Sequence, residues 1–184
     1  RALAPWGGRR SGVSLDVTTP LGLEDLDPDR HRVVFLANVP DPRPYGLRLT
    51  EFVRRGGNLV ISGGDNVTAD RYNDALGSLL PARIRKVRSL ADIGEEGVPL
   101  QVPEDGSELW EPFSRVGRRG FGRIRGRRVL TLEPYEDEED TRTTWLRYEN
   151  GLPALVEQQT GLGRVLLWTG TLDLAWGNLP LQAT

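Results

Sequence analysis

"HRVVFLANVP", residues 31–40, is the stretch on which the fold turns. Val33 to Ala37 form an unbroken apolar run, and Pro40, Pro42 and Pro44 stop it. Such a run, without polar alternation, predicts a central parallel strand covered on both faces. "YGLRLTEFVRRGG" follows at residues 45–57, with Leu49, Phe52 and Val53 at helical spacing and Gly56-Gly57 as a C-terminal stop. "NLVIS", residues 58–62, reads as the next strand. Strand, helix and strand over about thirty residues make a βαβ unit, whose right-handed crossover sets the two strands parallel.

On the N-terminal side, Val13 to Thr18 ("VSLDVT") alternates apolar and polar residues as a strand does. "LGLEDLDPDRH" is a connector with room for one helical turn. On the C-terminal side, "NVTADRYNDALGSLL" predicts a helix with Thr68 as N-cap. Tyr72, Leu76, Leu79 and Leu80 lie on its apolar face, and Pro81 ends it. "PARIRKVRSL" and "VPLQV" each read as a short strand or an extended connection, and "GRRVLTLEP" as a strand. Residues 143–171 then read as strand, turn, strand, turn, strand, with Asn150-Gly151 and Gly161-Leu162-Gly163 at the turns. The expectation is one domain over residues 1–184: a parallel α/β core whose C-terminal third is mostly antiparallel β.

The 184 residues are enough for a sizeable core, and 38% apolar with 27% charged residues is a globular composition. A net charge of -2 argues against a generic nucleic-acid binder. The absence of cysteine removes thiol nucleophiles, disulfides and Cys-based metal sites. No apolar run approaches the roughly 20 residues of a membrane span, and no signal peptide is visible. The opening "RALAPWGG" reads as the tail of a helix, and "NLPLQAT" closes without a terminating element. Both features predict a piece of a longer polypeptide.

Taken together, "HRVVFLANVP", "FVRRGGNLVISGGDNV", "YNDALGSLLPARI" and the closing "GLPALVEQQTGLGRVLLWTGTLDLAWGNLPLQ" resemble a known pattern. The chain resembles the class I glutamine-amidotransferase-like domain of large bacterial membrane proteins of the BatA-like, aerotolerance-related kind. The resemblance runs from about Val13 to Gln182. It implies a flavodoxin-like fold in a membrane-anchored parent, with this domain as a soluble part outside the cytoplasm. It also implies that the catalytic triad is absent, as in most such members, so that the domain associates with other protein domains, or with the rest of its own chain, or senses a ligand.

The chemistry of the residues agrees with a missing triad. A class I amidotransferase needs a Cys nucleophile and a His base. The chain has no Cys, and no His lies between Gly161 and Thr184. Ser62 is not a substitute, since "VISGG" lacks the first glycine of G-x-S-x-G. The lone histidine, His31, belongs at the start of its strand, whereas Ser62 belongs at the end of a parallel neighbour. That separates them by roughly 15 Å or more at about 3.3 Å per residue. Ligands of such folds bind at the carboxyl edge, where Ser62, Gly63, Gly64, Asp65 and Asn66 fall, with Asn38 from the neighbouring strand and Asp173 after the last one. These residues form a candidate polar pocket. The preferred reading is turn and cap chemistry, with positive φ at the glycines and side-chain acceptors for backbone donors. No metal or cofactor is expected, because a few oxygens without histidine hold a hard ion loosely. A carboxylate-dependent hydrolase using Asp65 and Asp173 is the alternative.

"RVGRRGFGRIRGRR", residues 115–128, offers Arg118, Arg119, Arg123 and Arg125 as a candidate anion or nucleic-acid surface. The acidic "EPYEDEED", residues 133–140, lies close enough to screen it, so no specific nucleic acid is expected. Trp168 reads as core. Trp176 reads as a residue packing on an absent C-terminal element, so its exposure would mark a severed interface.

Overall fold

The computed structural model describes residues 14–90, 96–101, 122–135 and 141–181. Its strands are β1 (Val33–Ala37), β2 (Asn58–Ser62), β3 (Ile84–Ser89), β4 (Val98–Gln101), β5 (Arg125–Gly126), β6 (Arg128–Leu132), β7 (Arg142–Tyr148), β8 (Pro153–Thr160) and β9 (Gly163–Trp168). Helix α1 spans Gly46–Arg54 and α2 spans Ala69–Leu76. A 7-stranded sheet has the order β1-β2-β9-β8-β7-β4-β5, and β3 pairs with β6 in a separate two-stranded sheet. β1, β2 and β9 are parallel, while β8, β7, β4 and β5 continue the sheet antiparallel. This is a flavodoxin-like α/β architecture with an antiparallel extension.

The helix at 45–57 forms as its pattern dictates. Leu49, Phe52 and Val53 are buried at 0%, 2% and 0% exposure and pack with Leu59 and Ile61 of β2 and Val165 and Leu167 of β9. Burying each such side chain stabilises the fold by about 1.5–3 kcal/mol. The helix stops where Gly56 takes φ 108°. There the Gly56 and Gly57 amides donate to the carbonyls of Val53 and Phe52. Both hairpin turns also form, with Gly151 at φ 83° and Gly161 at φ 62°, where an L side chain is strained. "PARIRKVRSL" and "VPLQV" both contain strands, β3 and β4.

Three expectations are corrected. β1 is an edge strand of the described sheet, with Val33 45% and Phe35 40% exposed. An apolar run reports the faces a strand could bury, not its place in the sheet. Ser14 to Thr18 lie outside any strand and are exposed, since alternation makes a strand only when a ladder partner is at hand. Thr68 does occupy the N-cap position of α2 in extended conformation, but its hydroxyl makes no capping bond.

A second cluster fills the antiparallel end. Leu90, Val98, Leu100, Ile124, Val129, Leu146, Tyr148, Ala154 and Trp168 pack together. Burial pushes the Tyr148 phenol up to about 12, against a smaller opposing effect of its hydrogen bond with Thr169. Among the described residues, no helix is long and apolar enough to cross a membrane.

Candidate functional site

The carboxyl edge of β1 and β2 is where the parallel strands release their chains. The register pairs Val33 with Asn58 and Ala37 with Ser62. His31 therefore precedes the amino end of β1 while Ser62 closes the carboxyl end of β2, as the sequence predicts. Asn38, Ser62, Gly63, Gly64, Asp65 and Asn66 do come together at this edge.

Asn38 leaves β1 in the left-handed region at φ 55°, which Asn tolerates better than other L residues. Its Oδ1 accepts the Asn66 amide at 2.9 Å. Gly64 sits against it, where a Cβ would meet the Asn38 side chain. Gly63 donates its amide to the Gly170 carbonyl at 2.8 Å. A Cβ there would come within 2.7 Å of Trp176 Cζ3 and 2.9 Å of the Gly170 carbonyl. Neither glycine has positive φ, contrary to the expectation for this turn. They are required by close approach. Ser62 is 1% exposed, and its hydroxyl donates to the adjacent Gly63 carbonyl at 3.3 Å.

Asp65 is the electrostatic centre of the edge. Its Oδ1 accepts Trp176 Nε1–H at 2.9 Å and an Arg128 N–H at 2.6 Å. The Arg128 guanidinium carbon lies 5.0 Å from the centroid of the Trp176 ring, within cation–π range. The Trp176 hydrogen bond holds the Asp65 carboxyl below the usual carboxylate range; desolvation opposes this and Arg128 adds to it. Asp65, Arg128 and Trp176 thus tie the β2 turn, β6 and the segment after β9 into one latch.

Trp176 is 1% exposed and belongs to the main core. It packs inside the described fold, which overturns its reading as a residue awaiting an absent element. The segment around it is sewn down by backbone bonds: Arg127 donates to the Trp176 carbonyl at 2.7 Å and Leu130 to that of Thr169 at 2.8 Å. Asp173, the remaining pocket candidate, accepts the Ala175 amide at 2.9 Å and closes its own turn.

Of the candidate anion-binding arginines, Arg118 and Arg119 lie outside the described residues. Arg123 is exposed, and its carbonyl accepts Asn178 Nδ2–H at 2.9 Å. Arg125 donates to the Gly97 carbonyl at 3.3 Å and lies 3.7 Å from Glu96. Glu133, at the head of the acidic run, faces Arg83 at 3.7 Å, and residues 136–140 lie outside the described ones. In the described part of this segment, Arg125 thus faces Glu96 and Arg128 faces Asp65. Among the described residues, no three His, Cys, Asp or Glu side chains are grouped to hold a metal ion.

Sequence inspection passed over Arg128 as a site residue and placed Trp176 in another role. They stand 63 and 111 positions from Asp65, and no local signal joins residues so far apart. The nearest hint was that an indole, when buried, needs a partner for its N–H.

No family model matches the chain, and no curated protein matches it. Solved structures do match in fold. Cytoplasmic Protein STM1381 from Salmonella typhimurium LT2 superposes with a TM-score of 0.70 at 14% identity, over 95% of this chain and 77% of that one. Cytoplasmic Protein STM3548 from Salmonella typhimurium gives 0.67 at 15% identity, over 95% and 76%. The β-galactosidase from Rahnella sp. R3 gives 0.58 at 18% identity, over 88% of this chain and 23% of that chain. At such identities the likeness concerns the fold alone.

Proposed function

We propose that the chain is a non-catalytic, amidotransferase-like module of a membrane-anchored bacterial protein, lying outside the cytoplasm and acting through association with other protein domains. One observation carries this reading. The polar groups at the carboxyl edge are engaged within the fold: Asn38 with Asn66, Asp65 with Arg128 and Trp176, and Asp173 with Ala175. A hydrolase would need at least one of these carboxylates turned toward substrate as a base or nucleophile. The sequence resemblance supports the membrane-anchored parent. The engaged edge favours protein association over ligand sensing.

Two measurements test the reading. The purified chain is assayed against γ-glutamyl amides and activated esters, beside Asp65→Asn and Asp173→Asn. Turnover at the buffer rate in all three is expected. Turnover above buffer that either variant abolishes would establish the carboxylate hydrolase instead. Protease accessibility of this domain in intact cells and in lysed cells tests the compartment: cleavage confined to lysed cells overturns the extracytoplasmic placement.

A further inference from the structure

The outer flank of β3 presents a surface of another kind. β3 pairs with β6 alone, in the two-stranded sheet. The register sets Val87 opposite Leu130 and Arg88 opposite Val129. The Leu130 amide donates to the Thr169 carbonyl at 2.8 Å, away from β3. Opposed residues of an antiparallel ladder alternate between hydrogen-bonded and non-hydrogen-bonded pairs. Val87 and Leu130 are therefore a non-hydrogen-bonded pair, and the Val87 N–H and C=O point away from β6. Ile84 is turned outward in the same way, and there the Asn73 side chain takes both its amide and its carbonyl. Among the described residues no group does the same for Val87.

The side chains along this flank share one sign. Arg85, Lys86 and Arg88 are exposed, while Ile84 and Val87 turn toward the core. Plain strand alternation would turn one of two successive residues inward. The register shift between Ile84 and Lys86 makes Arg85 an extra residue. Such a bulge re-aims side chains, so Arg85 and Lys86 both stay in solvent. Arg127 extends the row, exposed at the point where its carbonyl accepts the Leu90 amide at 2.7 Å. Arg43, Arg83, Arg125, Arg128 and Arg164 each face a carboxylate. Among the described residues, none of the four cations of this row does, and Arg127 spends one guanidinium N–H on the Leu174 carbonyl at 3.0 Å.

We propose that this edge of β3 seats an acidic, extended segment of a partner protein, added as a further strand. Charge complementarity selects the occupant. Charge on a free edge keeps identical edges apart, and cations spread over roughly 17 Å, at about 3.3 Å per residue, keep a second β3 away. The row that repels a copy attracts a strand of opposite sign. An incoming residue opposite Val87 makes the two main-chain bonds that Asn73 makes to Ile84. Its neighbours on either side stand opposite Lys86 and Arg88, on the exposed face. The recognised pattern is therefore carboxylates at alternate positions, with main-chain bonds giving affinity and the carboxylates specificity. The inference rests on the reading of the chain as an association module, and adds to it the surface and the chemistry of the partner.

Amide exchange of residues 1–184, read by NMR, tests the proposal with blocked heptapeptides as probes. Saturating Glu-Thr-Glu-Thr-Glu-Thr-Glu is expected to slow exchange of the Val87 amide at least ~10-fold, as a new ladder bond does. Raising NaCl from about 50 mM to about 500 mM is expected to weaken binding at least ~10-fold, because exposed charges are screened. The Lys-Thr counterpart is expected not to bind, and Lys86→Glu with Arg88→Glu, both at exposed positions, is expected to abolish binding of the acidic peptide. Unchanged Val87 exchange overturns the proposal, as does equal binding to the double variant. Equally tight binding of the acidic peptide methylated at its threonine nitrogens overturns strand addition. So do phosphatidylglycerol vesicles that bind through Lys86 and Arg88 while the peptide leaves Val87 unprotected, which would make a lipid surface the occupant. Turnover by the chain would overturn the module reading without altering the peptide titration. An unprotected Val87 in a chain without turnover overturns this proposal alone.

Discussion

Asp65 concentrates the chemistry of single residues in this protein. Its carboxylate is 60% exposed, yet two donors from distant segments converge on one oxygen. A carboxyl whose folded pKa is depressed contributes stability above its unfolded value, near 3.8. That contribution is lost as pH falls through the lower folded value. Asp65→Asn keeps an acceptor for Trp176 but loses the ion pair with Arg128. The variant is expected to melt slightly below wild type at pH 7, with the gap closing as pH drops below about 4. Asp41, held at about 2 chiefly by its hydrogen bond with Arg43, is common to both proteins and cancels. Melting curves from pH 7 to 2.5 check this, and a gap constant across the range would refute the role of the Asp65 charge.

Between elements, side chains supply the joints that the ladders do not. Asn73 on α2 donates through Nδ2 to the Ile84 carbonyl at 2.8 Å and accepts the Ile84 amide at 2.9 Å through Oδ1. Tyr72 on the same helix donates to the Val39 carbonyl at 2.7 Å. So α2 is clamped to β3 on one side and to the loop after β1 on the other. Ile84 is 2% exposed, and water cannot readily replace the lost partner. Asn73→Ala should cost about 1–3 kcal/mol through the orphaned backbone groups. Asn73→Asp keeps the acceptor but turns a carboxylate oxygen on the Ile84 carbonyl, so it should also cost stability at neutral pH. Denaturant midpoints at unchanged m-value measure both, and an Asn73→Ala midpoint equal to wild type would sink the argument.

The elements themselves were largely legible. The spacing of Leu49, Phe52 and Val53 placed α1, and the glycine turns placed the β7–β8 and β8–β9 hairpins, because helices and tight turns are encoded within a few residues. The place of β1 in the sheet was not. Its apolar run suits a central strand, but neighbours are chosen by segments remote in sequence. The candidate pocket was legible as a location and not as an arrangement. Gly63 and Gly64 proved to serve close packing, which depends on Trp176 and Asn38, neither adjacent in sequence.

Across the whole molecule, the two apolar clusters meet where β9 adjoins β8, and Trp176 closes the latch over the carboxyl edge. It is among the largest fully buried side chains, and its ring fills the space beside Gly63. Trp176→Ala should destabilise the fold by about 3–5 kcal/mol, as the removal of a buried aromatic ring does. The loss is read from the thermal or denaturant midpoint. A near-neutral effect would show that the segment after β9 is dispensable to the core.

The sequence by itself determined the local alphabet: the apolar strands, the amphipathic helices, the hairpin turns and the absence of a thiol. Those follow from spacing and residue type, which act over a few positions. Only the tertiary structure decided the strand order, the burial of Trp176 and the convergence of Arg128 and Trp176 on Asp65. These depend on contacts between segments 63 and 111 residues apart, whose energies exist only once the chain has folded back on itself.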